Sequence, residues 1–293
     1  MPRLPTLRGW LPLLVLPAAV LVLWPTKQPR WMLMWTVAGV IYVSFKWLTW
    51  RRTPAAAASV GRHLAYLGLW PGMDAVAFLD SDRAASVVQP SLRDWLMAVA
   101  KLVLGVVLLR DVCGVFAKLS PLLVGWSGMV GFMLVMHFGL FDLLSCFWRV
   151  NGIDARPLMN HPVRSTSLAE LWGQRWNIAF RDLLHRFLFT PLSARVGPRW
   201  ATWIGFAISG VIHDIVMSLP AQGGYGGPTL YFLIQAAGLL AERSHRGRRS
   251  GLGRGVRGWV FTMLVLIGPS PLLLHRPFIE QIVVPFVLAV RSL

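Results

Sequence analysis

The sequence predicts an all-α fold, a polytopic bundle of helices in a membrane, and three observations predict it. Of 293 residues, 55% are apolar and only 14% charged, where a soluble domain carries about 25% charged residues. The mean hydropathy is positive. The apolar residues are gathered into runs near the ~20 residues that a helix needs to cross a bilayer. These runs fall at about 8–25, 31–50, 94–112, 120–147, 200–219, 228–241, 257–274 and 277–291. Eight spans follow, and nine if the stretch 55–80, broken by Pro71 and Gly72, re-enters the bilayer instead of lying on its surface. At the N-terminus Arg3 and Arg8 precede an apolar stretch, but Pro12, Pro17 and Trp24 leave no small-residue cleavage site, so this is a retained first span.

The net charge of +17 sits in a few clusters between the runs. That clustering argues against nucleic acid and for loops beside anionic membrane lipids, or for an anionic substrate such as a coenzyme A thioester. Residues 149–199 carry eight arginines and 242–257 six, whereas 220–227 carries no charge and 275–277 one arginine. Positive-inside logic places the two basic loops in the cytoplasm of a multi-pass protein in a bacterial-type cytoplasmic membrane. Cys113 and Cys146, the only cysteines, lie in or beside apolar runs and read as packed thiols. With no zinc-type spacing, no metal or redox cofactor is expected. The chain shows no internal repeat and is read as one domain, 1–293, in which residues 1–130 supply N-terminal spans.

The basic loop 149–199 has structure of its own. Ser167 followed three residues later by Glu170 is a capping box, predicting a helix from Leu168. Trp172, Trp176, Ala179, Phe180, Leu183, Leu184, Phe187 and Leu188 then recur at helical spacing, with Gln174, Asn177, Arg181 and His185 on the other side. The pattern is that of an interfacial amphipathic helix, on the cytoplasmic side by the charge argument, running until Pro191 stops it.

Ionisable groups at bilayer depth are costly and tend to mark function. His213 and Asp214 lie past the middle of the run 200–219. A neutral imidazole can take the proton of an alcohol attacking a carbonyl; the alternative is a core histidine bonded between helices. Ser209 and Gly210 sit one turn earlier, leaving room beside the ring. Asp214 points about 100° away and pairs with another helix or tunes the local field. Asn177 can donate a hydrogen bond to a developing oxyanion, or is simply part of a solvated polar face. His137, five residues before Asp142, spells the HxxxxD of glycerolipid acyltransferases, but mid-span it reads better as an interhelical hydrogen-bonder or a tunnel-lining group.

The order RSTSLAELWGQRWN, FRDLLHRFLFTPL, FAISGVIHDIVMSLPAQGGYGGPTLYFL and HRPFIEQIVVPF resembles the wax-synthase-type branch of the membrane-bound O-acyltransferases over residues 137–293. The resemblance implies an all-helical enzyme that moves an acyl group from acyl-CoA to a hydroxyl in a tunnel through the membrane. It implies that His213 is the catalytic histidine and Asn177 the second signature residue, with Trp172, Arg175 and Trp176 matching the surrounding motif. Leu171 stands where the pattern commonly has Phe, and Asp214 where it commonly has Glu. The expected substrate-binding set is Trp172, Arg175, Trp176, Arg181, His137 and Asp214, and Arg164, Arg175, Arg181 and Arg186 are candidates for the coenzyme A phosphates. A long-chain alcohol is the first acceptor; a sterol, a glycan or a secondary-metabolite hydroxyl is the alternative. A transporter, or a scaffold in which His213 only packs, are the readings from other classes.

Overall fold

The computed structural model describes residues 7–54 and 58–292, and every regular element among them is helical. The expectation resting on Arg3, and residues 55–57 of the stretch 55–80, lie outside the described residues. The helices that matter below are α1 (Leu7–Leu23), α2 (Arg30–Arg51), α3 (Val60–Leu69), α4 (Ala75–Leu79) and α5 (Leu92–Val107). They continue with α6 (Pro121–Val150), α7 (Ile178–Ala221), α8 (Gly227–Arg243), α9 (Gly255–Leu273) and α10 (276–291).

Each expected run is largely helical, and among the described residues four helices are long and apolar enough to cross a membrane: α2, α6, α7 and α9. They make this an integral membrane protein. The run near 94–112 carries Lys101, Arg110 and Asp111 within its helical stretch. Helix α8 has 17 residues, about 25 Å of rise, and α1 has the same length, with Pro12 and Pro17 inside it.

The chain forms two compact units that interleave along the sequence. Unit 1 takes the residues up to Ile41, Asn160–Trp176 and Leu184–Phe286; unit 2 takes Tyr42–Met159, Asn177–Leu183 and the residues from Val287 on. In unit 2 the broken stretch resolves into α3 and α4 separated by Trp70–Asp74. Pro71 ends the helical ladder there and leaves carbonyls without partners. Lys46, buried in α2, supplies them: its Nζ donates to Trp70 O at 2.7 Å and to Gly72 O, and lies 3.5 Å from the centroid of the Tyr66 ring. Elsewhere in this unit small residues let helices touch. A Cβ on Gly105 would meet Gly131 O at 2.7 Å, and one on Gly139 would meet Leu102 Cα at 2.9 Å. Such close approach carries helix association where lipid removes the hydrophobic drive. Cys113 and Cys146 are buried free thiols.

In unit 1 the core is Leu168, Leu171 and Leu239, with Trp172, Trp176, Phe206, Phe261 and Val265 packed against it. The helix expected from Leu168 starts there, and Ser167 Oγ accepts the Glu170 N–H at 2.9 Å. The reciprocal half of the box differs, because Glu170 accepts from Thr166 N at 2.8 Å. The buried Glu242 completes the cap from α8, accepting Leu168 N at 2.6 Å and Ala169 N at 3.3 Å. The single amphipathic helix of the sequence reading is interrupted. A π turn over Leu171–Arg175 leads to an extended Trp176 and to Asn177 at φ +41°, and α7 begins only at Ile178. Nor does Pro191 stop the helix. It follows a second π turn, His185–Phe189, whose wider ladder relieves the clash between a proline ring and the carbonyl four residues back. The real break is at Gly197 (φ 80°, ψ 161°), a backbone conformation that glycine adopts freely, with Pro198 opening the next segment.

Helices α7 and α8 pack most tightly at Gly210, where a Cβ would sit 2.5 Å from Thr229 Cα. Gly210→Ala must move backbone and should lower stability by about 1–3 kcal/mol. Gly205→Ala, where nothing lies within 4 Å, should be neutral or stabilise by about 0.5–1 kcal/mol through helix propensity. Thermal unfolding of both variants in the same detergent checks the contrast. Glu242→Ala leaves the buried Leu168 N–H and the partly buried Ala169 N–H without this acceptor and should cost roughly 1–3 kcal/mol, read as a lower unfolding midpoint and faster proteolysis of the loop 160–176.

Candidate active site

The imidazole of His213 is held from two sides within unit 1. Its Nδ1 lies 2.7 Å from the carbonyl of Ser209, one turn back. A carbonyl only accepts, so Nδ1 carries the proton and Nε2 keeps its lone pair. The ring of Phe232, on α8, is 4.6 Å away centroid to centroid. Phe232 also meets Trp172 at 5.9 Å and Phe206 at 6.4 Å, and Trp172 meets Trp176 at 6.3 Å. One aromatic cluster therefore joins the tryptophans of the WGQRW segment to the histidine of the SGVIHD segment, which sequence spacing cannot do. Trp172 Nε1 is buried and has no hydrogen-bond partner among the described residues. The space expected beside Gly210 is not free, since the Thr229 backbone fills it.

Asp214 begins a π turn, Asp214–Ser218. It does pair with another helix. Oδ1 accepts from Ser218 Oγ at 2.8 Å and Gly226 N at 2.9 Å; Oδ2 accepts from Thr229 N at 3.1 Å and Thr229 Oγ1 at 2.5 Å. These four bonds fill the acceptor sites of a carboxylate. They place its charge at the N-terminus of α8, where unsatisfied N–H groups favour an anion. Asp214 thus organises the turn, and its acceptor sites are taken by the protein itself.

Arg175 is braced. Its Nε and Nη2 lie 2.7 and 2.6 Å from Glu170 Oε1, and Nη1 donates to Asn160 O at 3.1 Å. Burial alone would raise the Glu170 carboxyl, but hydrogen bonds from Thr166 and Arg175, with the arginine's charge, hold it below the usual carboxylate range. Arg164 and Arg186 are exposed.

Within unit 2, Asn177 caps the start of α7. Its Oδ1 accepts from Phe180 N at 3.3 Å, and its own N–H points at Met159 Sδ at 3.3 Å. With the oxygen engaged, what the amide can offer a reactant is its Nδ2–H donors. Arg181 pairs with Asp182 at 2.6 Å. His137 lies in a further π turn, Leu134–Leu140, with its ring 5.3 Å from Phe141, and Asp142 Oδ2 binds Lys101 Nζ at 2.9 Å. Among the described residues no three His, Cys, Asp or Glu side chains gather as a metal site.

Sequence reading missed Phe232, Thr229, Ser218, Glu242 and His275. A signal existed for Glu242, an acidic residue at the inner end of an apolar run, and for His275, a histidine beside the charge-poor 220–227 side of the chain. None existed for Phe232 or Thr229, ordinary residues whose role depends on which helix α8 meets.

Residues 155–234 match the family described as membrane bound O-acyl transferase family. A long-chain-alcohol O-fatty-acyltransferase of Simmondsia chinensis is 36% identical over 72 residues, 22% of this chain and 20% of that protein. A probable long-chain-alcohol O-fatty-acyltransferase of Arabidopsis thaliana is 30% identical over 155 residues, 45% of each chain. An acyl-CoA–sterol O-acyltransferase of the same plant is 27% identical over 74 residues, 23% of this chain and 21% of that protein. The chain spans less than half the length of these relatives. The family match encloses the aromatic cluster, Asn177 and His213, and over that region the chain is similar to membrane-bound O-acyltransferases, the relatives above being mostly long-chain-alcohol O-fatty-acyltransferases by name.

Proposed function

We propose that this protein transfers an acyl group from acyl-CoA to a hydroxyl, with a long-chain alcohol as first acceptor and a wax ester as product. The observation that carries the reading is the tautomer of His213. With Nδ1–H bonded to the Ser209 carbonyl, Nε2 is a base of fixed direction inside an apolar helix. In the proposed reaction Nε2 takes the proton of the alcohol, whose oxygen attacks the thioester carbon. The oxyanion so formed collapses, the C–S bond breaks, and the imidazolium returns its proton to the departing thiolate. The Ser209 carbonyl keeps the ring oriented throughout.

Asn177 is kept as the second signature residue by resemblance, whose Nδ2–H can orient a reactant or steady an oxyanion. The unpartnered Trp172 N–H beside the aromatic cluster suits a substrate contact, with Trp176 lining the same cluster. His137 is kept as a substrate-lining group in unit 2. Arg164, Arg181 and Arg186 are proposed for the donor's phosphates; Arg175, already braced by Glu170, serves there by shaping the loop. The proposed orientation puts loops 149–199 and 242–257 in the cytoplasm. The relatives above are plant proteins and lend no support to the bacterial-type membrane expected from the sequence. One of them is named for a sterol acceptor, which favours a sterol as the second acceptor to try.

Purified protein in nanodiscs, offered a panel of acyl-CoA donors with long-chain alcohols or sterols, should release coenzyme A thiol only when an acceptor is present. His213→Ala should lower that rate by roughly 10²–10⁴-fold while inserting and melting like the wild type. Undiminished turnover by the variant would overturn the base assignment. No thiol release across the panel, with substrate crossing vesicles instead, would replace acyl transfer by transport.

A further inference from the structure

Asp214 is supported by a second layer of groups in unit 1 that the reaction does not use. Ser218, at the end of the π turn, is fully buried and His275 nearly so, at 7% exposure. Phe278 N–H donates to His275 Nδ1 at 3.1 Å, so Nδ1 is the bare nitrogen and Nε2 carries the proton. That Nε2 lies 3.1 Å from Ser218 Oγ and donates to it. Ser218 has one proton to give and two acceptors in reach, Asp214 Oδ1 at 2.8 Å and Gly224 O at 3.4 Å; the shorter, charged acceptor takes it. The chain of bonds therefore runs one way, from Phe278 N–H through His275 and Ser218 to the Asp214 carboxylate. Gly224, at φ +73°, lies flat on the His275 ring with no room for a side chain.

At its other end Asp214 grips Thr229, and Thr229 is a junction. Its backbone seats Gly210, it gives two hydrogen bonds to Asp214 Oδ2, and three residues later on the same helix comes Phe232, the ring against His213. Register between α7 and α8 sets where that ring presses, and so where Nε2 points. A wider π turn directly after His213 has one more residue per turn to misplace than an α turn, which is why it needs a brace.

We infer that Ser218 and His275 are positioning residues for His213, acting through Asp214 and Thr229 to lock the turn after it against α8. The inference rests on the acyl-transfer reading for its kinetic consequence alone. Shortage of a carboxylate's reach also follows: Asp214→Glu pushes the carboxylate past Thr229 and Gly226 and should not substitute for the aspartate.

The test uses the full chain in nanodiscs and three variants. Ser218→Ala removes the central hydroxyl with little change of volume. His275→Asn keeps an acceptor for Phe278 N–H but is too short to reach Ser218, so it separates capping of 276–278 from bracing of Asp214. Asp214→Glu tests reach. Three readouts are taken: kcat and KM for thiol release, the unfolding midpoint, and the rate at which diethyl pyrocarbonate modifies His213, followed by peptide mass spectrometry. Positioning predicts a fall in kcat of about 10–100-fold with KM nearly constant, and a several-fold change in the His213 modification rate in all three variants. Lower midpoints with kcat per folded protein and His213 modification both unchanged would overturn it, leaving a structural role only. If the wild type releases no thiol with any donor and acceptor, the acyl-transfer reading falls. The modification rates then decide the positioning claim by themselves: changed rates uphold it, unchanged rates overturn it.

Discussion

A carboxylate carried into an apolar helix has no water to satisfy it, and the protein must bring donors to it. In unit 1 those donors are the N-terminal groups of α8 and the Ser218 hydroxyl, all converging on Asp214. The exchange is mutual, because the first N–H groups of a helix also lack partners. One interaction thus ends the loop 222–226, starts α8 and sets its register against α7. Phe232 reaches the His213 ring because of that register, and Trp172 reaches Phe232 in turn, with Trp176 against Trp172. Asp214 is better understood as the keystone of the helix pair than as a group waiting for substrate.

Several of the candidate residues share a backbone feature. His137 lies within a π turn, Trp172 and Arg175 within another, and a third begins immediately after His213. Each such turn inserts one residue into the helical repeat and rotates the following residues by about 100°. It also displaces backbone carbonyls from the regular ladder, so side chains must be tied down by other means. Ser209 O holds His213, Glu170 holds Arg175 and Asn160 O completes that brace. In a regular helix these side chains would point elsewhere, so the irregular turns fix where each one lies.

Lys46 in unit 2 follows the same rule as Asp214, as a donor where Asp214 is an acceptor. A proline break at Pro71 leaves carbonyls bare, and the buried amine of Lys46 from α2 meets them, with the Tyr66 ring face below. In both units a side chain of one helix satisfies backbone groups at the end or start of another. The closest backbone approaches are made at small residues, Gly105 with Gly131 and Gly210 with Thr229, as expected where apolar area alone does not hold helices together.

By itself the sequence determined that the chain is helical and lives in a membrane and that Ser167 opens a helix at Leu168, and it singled out His213 and Asn177 as candidates. These follow from composition, from local spacing and from motifs whose meaning is carried by neighbouring residues. It overran where a local rule was extended past a local break. The 3.6-residue pattern continued through Trp176 and Asn177 because side-chain spacing does not register a backbone turn to φ +41°. The stop assigned to Pro191 ignored the π turn before it. Only tertiary structure decided that the room beside Gly210 belongs to Thr229, that Glu242 caps the signature helix from 74 residues away, and that Asp214, Ser218 and His275 form one chain of hydrogen bonds. Those facts depend on which helices meet and at what register, and that is set by long-range packing and by the need to satisfy every buried polar group, neither of which is written in any short stretch of sequence.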